Sequence, residues 1–199
     1  MKPDRLQAFS DGVLAILITI LVLEFHVPDF SKGHLTSAVL LQWPILMAYI
    51  VSFLYVGTLW LFHHDYFSNL TRIDRNLNLI NLFVLFTITL VDYPTNLVAT
   101  AVASGNTDDM KTAFIIYDIV ALLISASFEL LYWYVKKHPD LKSNQKNIYR
   151  SIELDPVRSV IIYGLAIIIT PFSLVTGACL LCVGIIFHTF AYLRSSNKL

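Results

Sequence analysis

Long apolar segments are the feature of this sequence that most limits its possible folds. Four runs of about 20 or more mostly apolar residues can be recognised: Leu6–Phe25, Ala38–His63, Leu77–Ala103 and Met110–Val135. An α-helix of about 20 residues crosses a hydrocarbon core of about 30 Å. A last run, Val157–Leu193, is too long for one helix, and Pro171 is expected to divide it into two short spans. The sequence therefore predicts an all-α membrane protein with six transmembrane helices.

Composition is consistent with a single membrane domain. Of the 199 residues, 56% are hydrophobic and 14% are charged, which excludes an ordinary soluble domain. We predict one domain, residues 1–199, with spans at about 4–25, 38–64, 76–103, 110–136, 157–171 and 174–193. The first span lacks a small-residue cleavage site behind it and precedes further spans, so it is expected to remain in the mature protein. No motif indicates an enzyme, and nothing suggests nucleic-acid binding.

The distribution of basic residues predicts the side of the membrane on which each loop lies. Of the 14 Lys and Arg residues, only Lys32 and Lys111 lie on one side of the predicted topology, and the others lie on the side that holds both termini. Basic residues are retained in the cytoplasm, so both termini are expected to be cytoplasmic. The loop KKHPDLKSNQK, which follows the fourth span, is expected to contact anionic lipid headgroups.

Ser10 and Asp11 are polar residues inside the first apolar run, where a charge is costly and marks either function or a hydrogen-bonded interior. They could cap a helix that begins at Gly12. Pro3, however, suits the first helical position and would place both residues about two turns inside the helix. Polar residues at a similar depth come from the second and third spans: Trp60, His63, His64, Asn78 and Asn81. We predict a buried network that joins the first three helices.

His63, His64 and Asp65 are residue types that also bind metals. Adjacent side chains on a helix point about 100° apart, which makes it awkward for both imidazoles to reach one ion. The sequence therefore favours the hydrogen-bonded network over a metal site.

Cys179 and Cys182 form a C-x-x-C motif inside an apolar span. No second pair of cysteines accompanies it, as a zinc site of four cysteines would require. We expect reduced, buried thiols.

One stripe of the first span is predominantly apolar. At about 100° per residue it carries Arg5, Gly12, Ile16, Thr19, Ile20 and Leu23. Ser10 and Asp11 point away from this stripe. Periodicity alone favours packing against lipid or against the protein core for these residues.

Three segments carry a family resemblance. RLQAFSDG contains the pattern Arg-x-x-x-Phe-Ser-Asp, and WLFHHDYF at 60–67 and RIDRNLNLINLFVLFTITLVDYPTNLVA at 72–99 follow it. Together with the six spans and the short final hairpin, they resemble the prokaryotic relatives of the lysosomal potassium channel, transmembrane protein 175. The resemblance covers essentially the whole chain. Asp92 departs from it, since the family usually has an apolar residue there.

The resemblance implies a potassium-permeable cation channel. A single FSD motif without an internal repeat implies a homotetramer whose first helices line the pore, in the cell membrane of a prokaryote. By position relative to Asp11, Ile16 corresponds to a hydrophobic constriction, Ile20 and Leu23 to further layers, and Thr19 to a ring of hydroxyls. Arg5 and Phe9 of the motif are expected to join the polar network. No cofactor is implied, and potassium is the permeant ion.

Selectivity is expected to be weak, because the sequence lacks a TVGYG carbonyl filter. An alternative hypothesis is a proton-coupled transporter or proton leak that uses Asp92, Asp118 and Glu129. For each of these carboxylates, interfacial placement or interhelical hydrogen bonding is at least as plausible. Current that reverses at the potassium equilibrium potential without a pH gradient would distinguish the channel from the transporter.

Overall fold

The chain is all-α in a computed structural model that describes residues 3–142 and 155–196. Within these residues the helices are α1 Pro3–Ile20, α2 Leu35–Leu40, α3 Trp43–Ser68, α4 Arg75–Thr89, α5 Asp92–Ser104, α6 Thr107–Lys137, α7 Asp155–Ile169 and α8 Leu174–Ser196. Short 3-10 helices follow α1 at Leu21–Glu24 and α6 at Pro139–Leu141. The prediction of an all-α protein is confirmed.

Among the described residues, five helical segments are long and apolar enough to cross a membrane. They are Pro3–Glu24, Trp43–Ser68, Arg75–Ser104, Thr107–Lys137 and Leu174–Leu193. The apolar part of α7, Val157–Ile169, is shorter. A turn after Ile169 separates it from α8, next to Pro171. The fifth predicted span, 157–171, therefore stays a prediction, whereas the sixth, 174–193, coincides with the apolar part of α8.

Two proline residues explain where the helices depart from the predicted spans. The second span was expected from residue 38, but α2 ends at Leu40 and α3 begins at Trp43. Pro44 suits the first turn of α3, where a missing N–H costs nothing. The third span is interrupted between α4 and α5, because Pro94 cannot donate to the carbonyl of Leu90 and its ring crowds that carbonyl.

α3 and α6 occupy the centre of the bundle. α3 packs against α1, α5 and α8, whereas α6 packs against α4, α5, α7 and α8. Ser52 on α3 joins two other helices, since its Oγ lies 2.7 Å from Thr95 Oγ1 on α5 and 2.9 Å from Tyr117 Oη on α6. Such hydroxyl contacts replace water as the hydrogen-bonding partner inside a membrane.

α1 lies at the edge of the bundle and contacts α3 and α4. Its buried residues recur every three or four positions, as expected for one face of a helix: Leu6, Ser10, Leu14 and Leu17. Leu21, the first residue of the 3-10 helix that follows, continues this buried face. The opposite face of α1 is not covered by the described residues of this chain. This division into two faces positions the candidate site.

Candidate functional site

Asp11 anchors α1 to α3. Trp60 Nε1 donates a hydrogen bond to Asp11 Oδ1 at 2.9 Å, and His64 Nδ1 lies 3.1 Å from Oδ2 and 3.3 Å from Oδ1. A carboxylate only accepts, so Nδ1 of His64 carries the proton in this contact. Trp60 and His64 are four residues apart on α3 and therefore face the same side. The result is one partly exposed carboxylate held by two donors from a neighbouring helix.

A second set of hydrogen bonds joins α1 to α4 and then to α3. Asn81 Nδ2 on α4 donates to Ser10 Oγ at 3.0 Å, and Ser10 Oγ donates to the carbonyl of Leu6 at 2.9 Å. His63 Nε2 donates to Asn81 Oδ1 at 2.7 Å, since the amide oxygen is an acceptor. Ser10, His63 and Asn81 are wholly buried. The His63 ring also stacks on Phe67 with centroids 4.3 Å apart.

The structure brings six of the nine predicted network residues together: Ser10, Asp11, Trp60, His63, His64 and Asn81. Sequence reasoning missed a seventh participant, Gln7. Its Nε2 donates to the backbone oxygen of His64 at 3.4 Å. Its position four residues before Asp11 was a usable signal, because residues so spaced share one face of a helix.

Arg5, Phe9 and Asn78 make no hydrogen bond to this network among the described residues, so their membership stays a prediction. Arg5 and Phe9 lie on the uncovered face of α1, where Phe9 is 51% exposed. Asn78 Oδ1 is buried but has no hydrogen-bond partner among the described residues. Asn78 is three residues before Asn81 on α4, but only Asn81 is hydrogen-bonded to Ser10 and His63.

Two alternatives for the polar residues are not supported. Ser10 and Asp11 are not helix caps, because α1 begins at Pro3. His63 and His64 do not converge on one metal ion, because His63 contacts α4 and His64 contacts α1.

The cysteine expectation is half right. Cys179 and Cys182 are free thiols, but both are exposed rather than buried. They lie three residues apart on α8 and so share its outer face.

The predicted pore residues lie on the uncovered face of α1 and of the 3-10 helix that follows it. Ile16 is 63% exposed and Leu23 is 69% exposed, and Ile20 and Thr19 are exposed as well. Thr19 Oγ1 donates to the carbonyl of Ile16 at 2.7 Å. Because its proton is used within the helix, the lone pairs of the hydroxyl oxygen remain available for a cation.

The carboxylates of the transporter alternative are spread over two helices. Asp118 is wholly buried on α6, and neither of its oxygens has a hydrogen-bond partner among the described residues. Glu129 lies three turns further along α6, a distance of about 16 Å. Asp92 is the first residue of α5. Direct proton transfer between Asp118 and Glu129 is excluded at that separation.

The amino-acid sequence is similar to those of known proteins of one family. The sequence profile of the family described as "Endosomal/lysosomal potassium channel TMEM175" matches residues 5–91. A potassium channel of Chamaesiphon minutus is 30% identical over 98% of this chain and 96% of its own length. A potassium channel of Streptomyces collinus is 38% identical over 137 residues, which are 68% of this chain and 66% of the length of that relative.

A solved structure shares the fold. The crystal structure of a lysosomal potassium-selective channel TMEM175 homolog from Chamaesiphon minutus aligns with a TM-score of 0.81 and 28% sequence identity. The alignment covers 97% of each chain.

Proposed function

The chain belongs to the TMEM175 family, and from this premise we propose that it is a potassium-permeable cation channel whose pore is lined by α1. The observation that carries the proposal is the two-faced character of α1. One face is held by Asp11 and Ser10 through the polar network. The other presents Ile16 and Thr19, continued by Leu23 of the following 3-10 helix, and no other helix among the described residues covers it. Four copies around one axis would bring these uncovered faces together.

Ile16 would form the narrowest layer of the closed pore. A ring of apolar side chains excludes water, and an ion that crosses it loses hydration without compensation. Ile20 and Leu23 would add further apolar layers on the same stripe. Opening then requires α1 to move outward.

Thr19 would supply the preference for potassium. Four hydroxyl oxygens in a ring can replace part of the hydration shell of an ion, and the Thr19–Ile16 hydrogen bond fixes their direction. One such ring discriminates less than several layers of backbone carbonyls. We therefore propose weak selectivity over sodium.

Asp11 would orient α1 rather than contact the ion. Its carboxylate is directed at Trp60 and His64 on α3, away from the stripe that carries Ile16. A charge retained in this position is balanced by donors, which lowers its cost inside the membrane.

The membrane setting completes the proposal. We propose a multi-pass protein of a prokaryotic plasma membrane with both termini in the cytoplasm, surrounded by lipid and assembled as a homotetramer. Channel activity requires no cofactor and no catalytic group, only permeant potassium.

The transporter alternative has less support. Asp118 is a buried acid of the kind found in proton pathways, but the distance of about 16 Å to Glu129 would require further relay groups.

Recording from purified protein in planar bilayers tests the proposal. With a potassium gradient and equal pH on both sides, the current should reverse at the potassium equilibrium potential when potassium is the only permeant cation. With a pH gradient and no potassium gradient, a channel of this kind should give little current. A current that follows only the pH gradient would favour the transporter.

A further inference from the structure

The turn between α3 and α4 is tied to the segment that follows α6. Thr71 N donates to the carbonyl of Leu141 at 2.9 Å, and Leu70 and Lys142 form an antiparallel bridge. We call residues 70–75 together with 133–142 the basic clamp. Backbone hydrogen bonds fix the two parts of the basic clamp relative to each other without using their charged side chains.

Asp74 connects the basic clamp to the start of α4. Its Oδ1 accepts a hydrogen bond from Leu77 N at 2.7 Å and caps the helix, while its Oδ2 accepts one from Tyr134 Oη at 2.6 Å. Both carboxylate oxygens are therefore occupied by internal donors. Asp74 is directed at the helix and at α6 rather than at the basic residues of the clamp.

The basic clamp carries an excess of positive charge. Its basic residues are Arg72, Arg75, Lys136, Lys137 and Lys142, and its acidic residues are Asp74 and Asp140. Arg72, Arg75 and Lys137 are exposed. A surface of this kind attracts anionic groups by about 1 kcal/mol for each basic residue close to a charged membrane.

Trp133 indicates the depth of this surface. The ring is 49% exposed, and Lys137 Nζ lies 3.9 Å above its centroid. Tryptophan and lysine together at the end of a membrane-spanning helix are typical of the headgroup region. The charges of the basic clamp thus lie at the level where lipid phosphates occur.

We propose that the basic clamp binds the headgroups of anionic phospholipids and that bound lipid controls the position of α1. The connection runs through α4, where Asn81 lies about 10 Å along the helix from Asp74 and donates to Ser10. Lipid bound to the basic clamp would restrict the movement of α4, because Asp74 caps that helix. The Asn81–Ser10 hydrogen bond would in turn restrict the movement of α1. The control of α1 rests on the proposed channel function, whereas lipid binding does not.

Lipid binding is tested on the purified protein by native mass spectrometry, with phosphatidylglycerol and phosphatidylcholine in the same mixture. The double variant Arg72→Gln/Arg75→Gln should retain phosphatidylglycerol about fivefold less for each charge removed. The control Lys32→Gln/Lys111→Gln removes the same charge on the opposite side and should leave retention unchanged. Arg72→Lys/Arg75→Lys keeps the charge and should restore binding. Equal loss in the Gln variant and the control would overturn the lipid site.

Control of α1 is tested by potassium flux from vesicles of phosphatidylcholine alone or mixed with phosphatidylglycerol. Flux through the native chain should depend on the anionic lipid, and the Arg72→Gln/Arg75→Gln variant should lose that dependence. Equal flux of the native chain in both vesicles would overturn the control of α1. If no vesicle conducts potassium while phosphatidylglycerol is still retained selectively, the proposed channel function fails and the lipid site stands.

Discussion

Replacing Asp11 with Ala removes the acceptor that α1 offers to two donors of α3, Trp60 Nε1 and His64 Nδ1. Interhelical hydrogen bonds inside membranes contribute about 0.6 kcal/mol on average and about 1.7 kcal/mol at most. Two such bonds to a partly exposed carboxylate therefore contribute about 1 to 2 kcal/mol. The ratio of folded to unfolded protein should fall by about 5- to 30-fold.

Thermal stability of the purified protein measures this change, followed as loss of the monodisperse peak in size-exclusion chromatography after heating. Asp11→Ala should lower the midpoint, and Asp11→Asn should lower it less, because the amide oxygen can still accept from Trp60. A double-mutant cycle with Trp60→Phe isolates the coupling between the two side chains. The reversal potential under bi-ionic conditions should stay unchanged in Asp11→Ala.

The opposite pattern would refute this role of Asp11. If Asp11→Ala assembles and melts normally but loses its preference for potassium over sodium, the carboxylate faces the ion pathway. The face of α1 that carries Ile16 would then not be the pore lining.

Three further perturbations test the fold and the pore. In Gly184→Ala the new Cβ would lie 2.5 Å from the ring of Tyr163, so the free energy of unfolding should fall by about 1 to 3 kcal/mol in thermal denaturation. Gly164→Ala is the control, because its new Cβ would lie 3.8 Å from Leu122, an ordinary contact distance, and its thermal midpoint should not fall. Partial burial raises the pKa of Asp74, but the hydrogen bonds that its carboxylate accepts outweigh burial and hold the pKa below its usual value. Asp74→Ala should therefore lower the free energy of unfolding by about 1 kcal/mol at neutral pH, as measured by denaturation. Below about pH 4 the carboxylate becomes protonated, and the stability difference between the native chain and the variant should shrink. Thr19→Val should leave conduction intact and move the bi-ionic reversal potential toward zero.

The α1 helix was largely predictable because its two faces differ in chemistry. Pro3 marks its start, and the buried positions follow the helical repeat. The side chains of Ser10 and Asp11 were expected to face neighbouring helices rather than lipid, because polar groups inside a membrane need hydrogen-bonding partners. The partners on α3 and α4 could be anticipated from their depth, since helices that cross the same bilayer place residues at predictable levels.

Other features depend on tertiary packing, which sequence patterns do not record. The break between α4 and α5 requires Pro94 to be recognised inside an otherwise continuous apolar run. Asn78 and Asn81 are the same residue type at a similar depth, but only Asn81 lies within reach of Ser10 and His63. Residue type and depth alone cannot select between them.

The current carried by an Ile16→Asn variant tests most directly whether α1 lines the pore. A matched control is Ile168→Asn on α7. Ile168 is 64% exposed and Ile16 is 63% exposed, so both variants replace an equally accessible isoleucine with an amide side chain. Both variants are recorded in planar bilayers at equal protein density. Ile16→Asn should hydrate the constriction and raise the basal potassium current, while Ile168→Asn should behave like the native chain. Unchanged current and open probability in Ile16→Asn would contradict pore lining by α1.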